Sequence, residues 1–251
     1  MTYRYFISLS YNGTNYHGWQ IQDNGITVQS VLNNAMSQIL RSEIETVGAG
    51  RTDTGVHASK FFAHFDFNKK LSPEELTDLV YKINSNLPND IALCKITQVK
   101  EDAHARFSAL SRTYKYYISP NKNPFKFESS YFYKGNLDLD LMNEAARILF
   151  EYIDFTSFSK LHTQTKTNNC KIYIAEWQIE EDMIVFTIKA DRFLRNMVRA
   201  IVGTLLDVGR GKIDIEKFRE IIEKKSRCEA GFSVPANGLF LVDIEYPEDV
   251  S

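Results

Sequence analysis

The sequence contains no hydrophobic run that approaches the roughly 18 residues of a membrane-spanning helix, so a helical span is excluded. The opening residues, Met-Thr-Tyr-Arg-Tyr, lack the basic and apolar segments of a secretory signal peptide, and we expect a cytoplasmic protein. Cysteine is scarce: Cys94, Cys170 and Cys228 are odd in number and far apart. Their spacing predicts three buried thiols in a reducing compartment and argues against a disulfide framework.

Net charge is also small, because 30 Lys and Arg residues are balanced by 32 Asp and Glu residues in a chain of 251. A near-neutral sum is unusual for a nucleic-acid-binding protein, but the charges are unevenly distributed. Residues 103–127 contain five basic residues and no acidic one, and residues 189–212 contain six basic and two acidic residues. Residues 71–102 and 213–251 are net acidic. This segregation allows a basic groove for phosphates, with acidic faces elsewhere.

The hydrophobic periodicity predicts the element order β-α-β-β-α-β in the first hundred residues and again, with insertions, in the remainder. We therefore expect an α+β fold of two ferredoxin-like halves, residues 1–103 and 104–251, with a mainly antiparallel sheet and a functional cleft between the halves. The predicted strands are 3–10, 44–48, 58–67, 91–99, 104–119, 170–180, 183–190 and 239–246, and the predicted helices are 28–40, 73–87, 138–151, 192–208 and 214–225.

Two basic runs are candidates to line this cleft. Arg192, Arg195 and Arg199 are spaced i, i+3 and i+7, which would put them along one face of a predicted long helix, opposite an apolar face. Tyr114 and Tyr116 alternate with basic residues of a predicted strand, a mixture typical of surfaces that stack on bases and follow a phosphate backbone. For either run, a solvated charged face is an equally acceptable interpretation.

The sharpest feature is a glycine-rich segment with one carboxylate, Gly48-Ala49-Gly50-Arg51-Thr52-Asp53-Thr54-Gly55-Val56-His57-Ala58. It has neither the Gly-Lys-Ser/Thr of a Walker loop nor the spacing of a dinucleotide-binding loop, so we expect no nucleotide cofactor. Arg51 and Asp53 could both project into one pocket, where Asp53 would act as nucleophile or general base and nearby arginines would favour its ionised form. A simple turn between two strands explains the same residues equally well.

Two further interpretations of this region are weaker. Asp53-Thr54-Gly55 is similar to the Asp-Thr-Gly loop of aspartic proteases, but that chemistry needs two such loops or a short chain that dimerises. His57 and His64 have no Cys or carboxylate at ligand spacing, so we expect no metal site and interpret both as structural histidines. Trp19 and Trp177 are predicted to belong to the core.

The segment from Gly50 to Ala58 resembles the signature of the TruA family of tRNA pseudouridine synthases, and the resemblance extends along nearly the whole chain. Asn12 stands where the family usually has Asp, and Asn237 where it often has His. The other matching motifs occur in the family's order: Tyr11-Asn12-Gly13-Thr14-Asn15-Tyr16-His17-Gly18-Trp19-Gln20, Asn86-Leu87-Pro88, His104-Ala105-Arg106-Phe107-Ser108-Ala109, Arg112-Thr113-Tyr114-Lys115-Tyr116, Asp154-Phe155-Thr156-Ser157-Phe158, Phe193-Leu194-Arg195-Asn196-Met197-Val198-Arg199 and Gly238-Leu239-Phe240-Leu241.

The resemblance implies a pseudouridine synthase fold and isomerisation of uridine to pseudouridine at positions 38, 39 and 40 of the tRNA anticodon stem-loop. It implies a homodimer and neither a metal nor an organic cofactor. It assigns catalysis to Asp53, with Tyr114 stacking on the target base and Arg199 pairing with the aspartate. It assigns entry into the RNA to Arg51 and the lining of the base pocket to Leu239.

The basic and aromatic runs add Arg195 and Tyr116 as candidate substrate-binding residues. The competing prediction is a non-catalytic RNA-binding module, because paired ferredoxin-like halves also serve that purpose. Such a module would leave the combination of Asp53, Tyr114 and Arg199 without a role.

Overall fold

The computed structural model of the protein describes residues 2–160 and 167–250. These residues form two compact units: the chain up to Leu110 together with the segment from Leu241 onward, and Ser111–Phe240. Helices and mainly antiparallel strands occur in both units, which confirms the predicted α+β class. Within the described ranges, no helix is long and apolar enough to cross a membrane.

The first unit follows the predicted β-α-β-β-α-β order. β1 lies between β3 and β4, antiparallel to both, and β2 pairs with part of β3. Because β1 is central, its side chains Tyr5, Ile7 and Leu9 are fully buried. The elements are β1 (Tyr3–Tyr11), α1 (Val28–Leu40), β2 (Val47–Gly48), β3 (His57–Phe67), α2 (Pro73–Asn84) and β4 (Ile91–Val99).

Local capping sets the ends of both helices of this unit. The hydroxyl of Thr27 accepts the N–H of Ser30 and caps α1. Ser72 and Glu75 form the predicted capping box of α2. α2 ends at Asn84. Its side-chain amide donates to the carbonyl of Leu93 on β4 and accepts the N–H of the same residue, which ties the helix end to the sheet.

In the second unit, β8 lies between β5 and β7 and is antiparallel to both. The short β6, which the periodicity does not predict, pairs parallel with β5. The apolar face predicted opposite the arginines is buried, as its members Val198, Ile201, Val202 and Leu205 show. The elements are β5 (Ser111–Ser119), β6 (Tyr131–Phe132), α3 (Leu139–Ile148), β7 (Ile172–Glu180), β8 (Met183–Ala190), α4 (Met197–Gly209), α5 (Ile215–Glu223) and β9 (Leu239–Glu245), which passes into the first unit.

The predicted strand 104–119 is wrong in its first part, because β5 begins only at Ser111. The preceding residues form a turn that side chains hold. His104 Nδ1 accepts two backbone N–H groups of the turn at 3.1 and 3.3 Å, and Ser108 Oγ accepts the N–H of His104 at 3.0 Å. Such local bonds compete with strand pairing, and the pattern of apolar residues does not reveal them.

The predicted helix 192–208 is wrong at its start, because α4 begins only after Asn196. Asn196 adopts a left-handed conformation with φ of +67°, which interrupts helical hydrogen bonding. Arg192 and Arg195 therefore precede the helix and do not share a helical face with Arg199. The predicted stripe of three arginines does not form.

The prediction that all three cysteines are buried is also wrong. Cys94 and Cys228 are exposed, and only Cys170 is buried. Cys94 lies on β4, where buried and exposed residues alternate around it, so its side chain is on the solvent face. Burial raises the pKa of the Cys170 thiol to about 12.

His64 on β3 is almost completely buried and packs against the rings of Phe6 and His104. Its Nδ1 accepts the N–H of Ala105 at 3.1 Å, which requires an unprotonated nitrogen. Burial, together with the nearby Arg4 guanidinium, lowers the pKa of His64 to about 4. Between this value and the ordinary value of 6.5, the unfolded chain binds more protons at this residue than the folded chain does.

We predict that the free energy of unfolding decreases as the pH falls from about 6.5 to about 4, because unfolding then allows His64 to take up a proton. His64→Asn retains an acceptor close to the position of Nδ1 and cannot titrate. The variant should therefore lose stability less steeply over this range. Urea unfolding at a series of pH values gives the free energy of unfolding of both proteins. Because all other titrating groups are present in both, the difference between the two curves reports on His64. Equal pH slopes would contradict the prediction.

Candidate active site

The glycine-rich segment connects β2 to β3, and we call residues 49–56 the Asp53 loop. Asp53 itself is partly buried, and its carbonyl accepts the N–H of Val56 at 3.1 Å. Gly55 in this turn has φ of +76°, a conformation that favours glycine. Arg51 is exposed. The simple turn between two strands that the sequence also allowed is therefore present, and Asp53 is its first residue.

A second segment of the first unit, residues 12–20, packs directly against the Asp53 loop, and we call it the N-terminal loop. A Cβ atom on Gly13 would lie 2.0 Å from the carbonyl oxygen of Val56, and one on Gly18 would lie 2.3 Å from that of Thr52. Gly18 also has φ of +81°. Only glycine allows the two backbones to approach so closely at these positions.

Hydrogen bonds reinforce this contact. The N–H of Gly55 donates to the carbonyl of Tyr16 at 3.3 Å, and the N–H of Trp19 donates to the carbonyl of Thr52 at 3.4 Å. The hydroxyl groups of Tyr11 and Thr52 lie 2.9 Å apart in a buried hydrogen bond. The Asp53 loop is thus attached to the N-terminal loop through backbone groups on both sides of the aspartate, and to the end of β1 through the side chain of Thr52.

Aromatic packing lies beneath these loops. Trp19 is buried and stacks at a tilt on Phe61, with ring centroids 4.2 Å apart. A Cβ atom on Gly48 would lie 2.3 Å from the indole nitrogen of Trp19, so glycine is required at the start of the loop as well. Trp177 is also buried, and the prediction that both tryptophans belong to the core is confirmed.

In the second unit, Tyr114 and Tyr116 lie on one face of β5. Tyr114 is partly buried, and its ring meets the ring of Phe193 edge to face at 5.2 Å between centroids. Tyr116 is fully buried, its hydroxyl donates to the carbonyl of Pro235 at 2.9 Å, and burial raises its pKa. Tyr116 is therefore bonded to the segment around Pro235, whereas Tyr114 is only partly buried.

Arg199 lies in the first turn of α4 and is anchored to the chain segment around Val234. Its Nε donates to the carbonyl of Val234 at 2.7 Å, and its own carbonyl accepts the N–H of Val234 at 3.2 Å. The segment comes very close to the helix, because a Cβ atom on Gly203 would lie 1.8 Å from the carbonyl oxygen of Phe232. The guanidinium is thus held in one orientation by a charge-assisted bond.

Residues that sequence reasoning missed hold this segment in place. Arg227 donates from Nη2 to Ser233 Oγ at 2.9 Å and from Nη1 to the carbonyl of Gly231 at 3.1 Å. Asn196 donates from Nδ2 to the same hydroxyl at 2.6 Å. No periodicity or motif singled out Arg227, which lies in a stretch of sequence that is net acidic.

The two departures from the family pattern both make polar contacts. Asn12 Oδ1 accepts the N–H of Thr14 at 3.0 Å and its hydroxyl at 2.7 Å. Asn237 Nδ2 donates to the carbonyl of Phe127 at 2.7 Å and to that of Ser130 at 2.8 Å. The asparagine at position 237 therefore ties the chain before β9 to the connection between β5 and β6.

The remaining candidates differ in exposure. Leu239 is buried at the start of β9, and Arg195 is exposed before α4. Tyr116 and Arg199 are brought together through residues 234–235, to which both side chains are bonded. Leu239 follows four residues later on the same stretch of chain. In the first unit, Arg51 and Asp53 both lie on the Asp53 loop, and Arg51 is more exposed than Asp53.

Both histidines near the loop have structural roles, as predicted. His57 is buried, and its Nδ1 accepts the N–H of Gly13 at 3.0 Å. His64 accepts the N–H of Ala105 in the same way. Among the residues that the structure describes, no group of three or more His, Cys, Asp or Glu could hold a metal ion.

We predict that Gly13→Ala lowers the free energy of unfolding by about 1–3 kcal/mol, because the new methyl group collides with the carbonyl oxygen of Val56 and separates the two loops. Gly50→Ala on the Asp53 loop is the matched control, since a Cβ there meets no atom within 4 Å, and its effect should stay below about 1 kcal/mol. Urea unfolding measures both variants, and equal stabilities would show that the close approach is not needed.

In a comparison with known proteins, one family matches sequence from both units. The sequence pattern of the family described as tRNA pseudouridine synthase matches residues 7–108 and 149–247. The chain is 60% identical over 250 residues to tRNA pseudouridine synthase A of Bacteroides thetaiotaomicron, covering 98% of this chain and 92% of that protein. It is 58% identical to the Parabacteroides distasonis protein of the same name, covering 98% and 97% of the two chains. The Thermoanaerobacter relative of that name is 40% identical, with 96% and 98% covered. The chain therefore belongs to the tRNA pseudouridine synthase family.

Proposed function

We propose that this protein converts uridine to pseudouridine at positions 38, 39 and 40 of the tRNA anticodon stem-loop. The observation that carries the proposal is the constrained position of Asp53, a partly buried carboxylate on a loop that is clamped by close backbone contacts and hydrogen bonds. Family membership supports the same activity, since full-length relatives carry the name tRNA pseudouridine synthase A.

The reaction moves one bond and one proton. The bond between the ribose C1′ and the uracil N1 breaks, the detached base turns, and a bond between C1′ and C5 forms. The proton lost from C5 is balanced by the proton gained at N1, so no co-reactant is consumed. The site must therefore extract the nucleotide from its stack, keep the free base in place and provide a group that accepts and returns a proton.

In this proposal Asp53 either attacks the nucleotide or removes a sugar proton, and both roles require an ionised carboxylate at a defined point. Arg199, whose orientation Val234 sets, pairs with the aspartate and stabilises its charge. Tyr114 covers the target base with its accessible ring face, and Leu239 supplies apolar surface to the base pocket.

The remaining candidates serve tRNA binding. Arg51 and Arg195 are exposed, and we assign both to contacts with phosphates. The family resemblance adds displacement of the base to the role of Arg51. Tyr116 contributes indirectly, because its hydroxyl holds Pro235. Lys115 is paired with the carboxylate of Glu180, which reduces its contribution to phosphate binding.

We further propose that the protein acts as a homodimer in the cytoplasm and that residues 1–103 and 104–251 are its two ferredoxin-like halves. The family resemblance supports the dimer. The order β-α-β-β-α-β of the first unit supports the assignment of the first half.

Asp53→Asn should reduce pseudouridine formation by about 10³-fold or more, because the amide neither attacks nor takes up a proton, whereas tRNA binding should persist. Mapping of pseudouridine in unmodified tRNA measures the activity and the modified positions, and filter binding measures affinity. Asp78→Asn on the exposed face of α2 is the matched control and should retain full activity. Substantial turnover by Asp53→Asn would sink the catalytic assignment, and an inactive wild-type protein that still binds tRNA would favour the non-catalytic module.

The segregation of basic residues predicts that tRNA affinity depends strongly on salt. The dissociation constant should rise by at least about tenfold between roughly 50 and 200 mM monovalent salt, because bound cations are released when lysines and arginines contact phosphates. Titration of labelled tRNA at several salt concentrations measures the slope. A flat dependence would contradict a basic binding surface.

A further inference from the structure

A buried tyrosine and a carboxylate connect the N-terminal loop to the start of β4. The hydroxyl of Tyr16 donates to Asp90 Oδ1 at 2.5 Å, a short bond of the kind that an ionised acceptor makes. The backbone of the same aspartate takes part as well, because its carbonyl accepts the N–H of Asn12 at 2.9 Å. Asp90 therefore holds the N-terminal loop at three points, since Asn15 Nδ2 also donates to Asp90 Oδ2, at 3.4 Å. Neither Tyr16 nor Asp90 has a role in the mechanism proposed above.

The chain of bonds continues from Tyr16 to the turn beside Asp53. The carbonyl of Tyr16 accepts the N–H of Gly55, two residues after the aspartate, at 3.3 Å. The N–H of Tyr16 donates to the carbonyl of Gly13, the glycine that contacts Val56. A displacement of Tyr16 thus moves Gly55 and Val56, the C-terminal side of the turn that carries the carboxylate.

We propose that Asp90 and Tyr16 are positioning residues for Asp53, which they hold in place through the bond between the Tyr16 carbonyl and the Gly55 N–H. The inference rests on the proposed function, since it takes Asp53 as the reacting group. Tyr16 is only 5% exposed, so it does not offer its ring to a nucleotide. Its contribution is to the geometry of the loop and not to the surface that binds tRNA.

The arrangement fits this role better than a role in core stability alone. A buried tyrosine hydroxyl needs one hydrogen-bond partner, and a neutral backbone carbonyl would satisfy that requirement. Tyr5 of the same unit shows this simpler solution: it is fully buried, its hydroxyl donates to the carbonyl of Lys69, and it accepts the N–H of Leu71. Tyr16 instead donates to the carboxylate of Asp90, and such a hydrogen bond is stronger than one to a neutral carbonyl.

The test compares Tyr16→Phe with Tyr5→Phe. Both variants remove one buried hydroxyl from the first unit, and only the first of these hydroxyls is connected to the Asp53 loop. For Tyr16→Phe we expect the single-turnover rate of pseudouridine formation at saturating tRNA to fall by about 10- to 100-fold, because small displacements of a reacting group have effects of this size. The dissociation constant for tRNA should change by less than about threefold. Tyr5→Phe should keep its rate within about twofold at a comparable loss of thermal stability.

Two variants of the carboxylate give an independent comparison. Asp90→Ala removes the acceptor and should lower the rate as Tyr16→Phe does. Asp90→Asn retains an acceptor oxygen for the tyrosine hydroxyl and should recover most of the rate. The backbone bond from Asn12 to Asp90 persists in both variants, so the comparison reports on the side-chain bonds of Asp90 to Tyr16 and Asn15, and Tyr16→Phe isolates the first of these.

Hydrogen exchange at the Gly55 amide adds a readout that does not depend on activity, and it should be faster in Tyr16→Phe than in Tyr5→Phe. Equal rates and equal exchange in these two variants would overturn the inference, and so would a variant that weakens tRNA binding while its saturating rate stays unchanged. Wild-type protein and Asp53→Asn are assayed in parallel. An inactive wild type or an active Asp53→Asn refutes the proposed function, whereas active wild type with an undisturbed Tyr16→Phe refutes only the positioning role.

Discussion

The first unit depends on the close contact of two backbones at Gly13 and Gly18. With glycine at these positions, the carbonyl groups of Thr52 and Val56 lie where a side chain would otherwise be, and the Asp53 loop cannot shift without moving the N-terminal loop. Hydrogen bonds on both sides of the aspartate complete the contact. The position of the Asp53 carboxylate therefore depends on residues about 40 positions earlier in the chain. The Asp53 loop is closely packed against the N-terminal loop even though it is rich in glycine.

The second unit uses a similar arrangement for its arginine. The segment around Val234 lies against α4 at Gly203, again through a contact that only glycine permits, and Arg199 is bonded to this segment through side chain and backbone. Arg227 also holds this segment, through bonds to the hydroxyl of Ser233 and the carbonyl of Gly231. Buried polar groups that are fully bonded make such a site rigid, and a rigid site keeps its charges oriented for reaction.

Charge along the sequence is only partly charge on the surface. In the basic run of residues 103–127, Lys115 pairs with Glu180 at 2.6 Å, and Lys126 pairs with Asp182 at the same distance. Both acidic partners lie at the hairpin between β7 and β8. Arg51, by contrast, lies exposed on the Asp53 loop.

Features encoded over a few neighbouring residues were predictable from the sequence: the capping box at Ser72, the strands β1 and β4, the turn at Asp53 and its likeness to a known family. Tertiary structure decided the rest. Asn196 has a left-handed conformation just before α4, and its side chain bonds the distant hydroxyl of Ser233. The bonds from Asp90 to Tyr16 and from Arg227 to its segment join residues that are distant in sequence or lack a pattern, and hydrogen bonds of this kind leave no periodic signal. The sequence by itself determined which chemistry-bearing residues the chain has, because motifs are local; only the folded structure decided how each one is held, because that depends on contacts between distant segments.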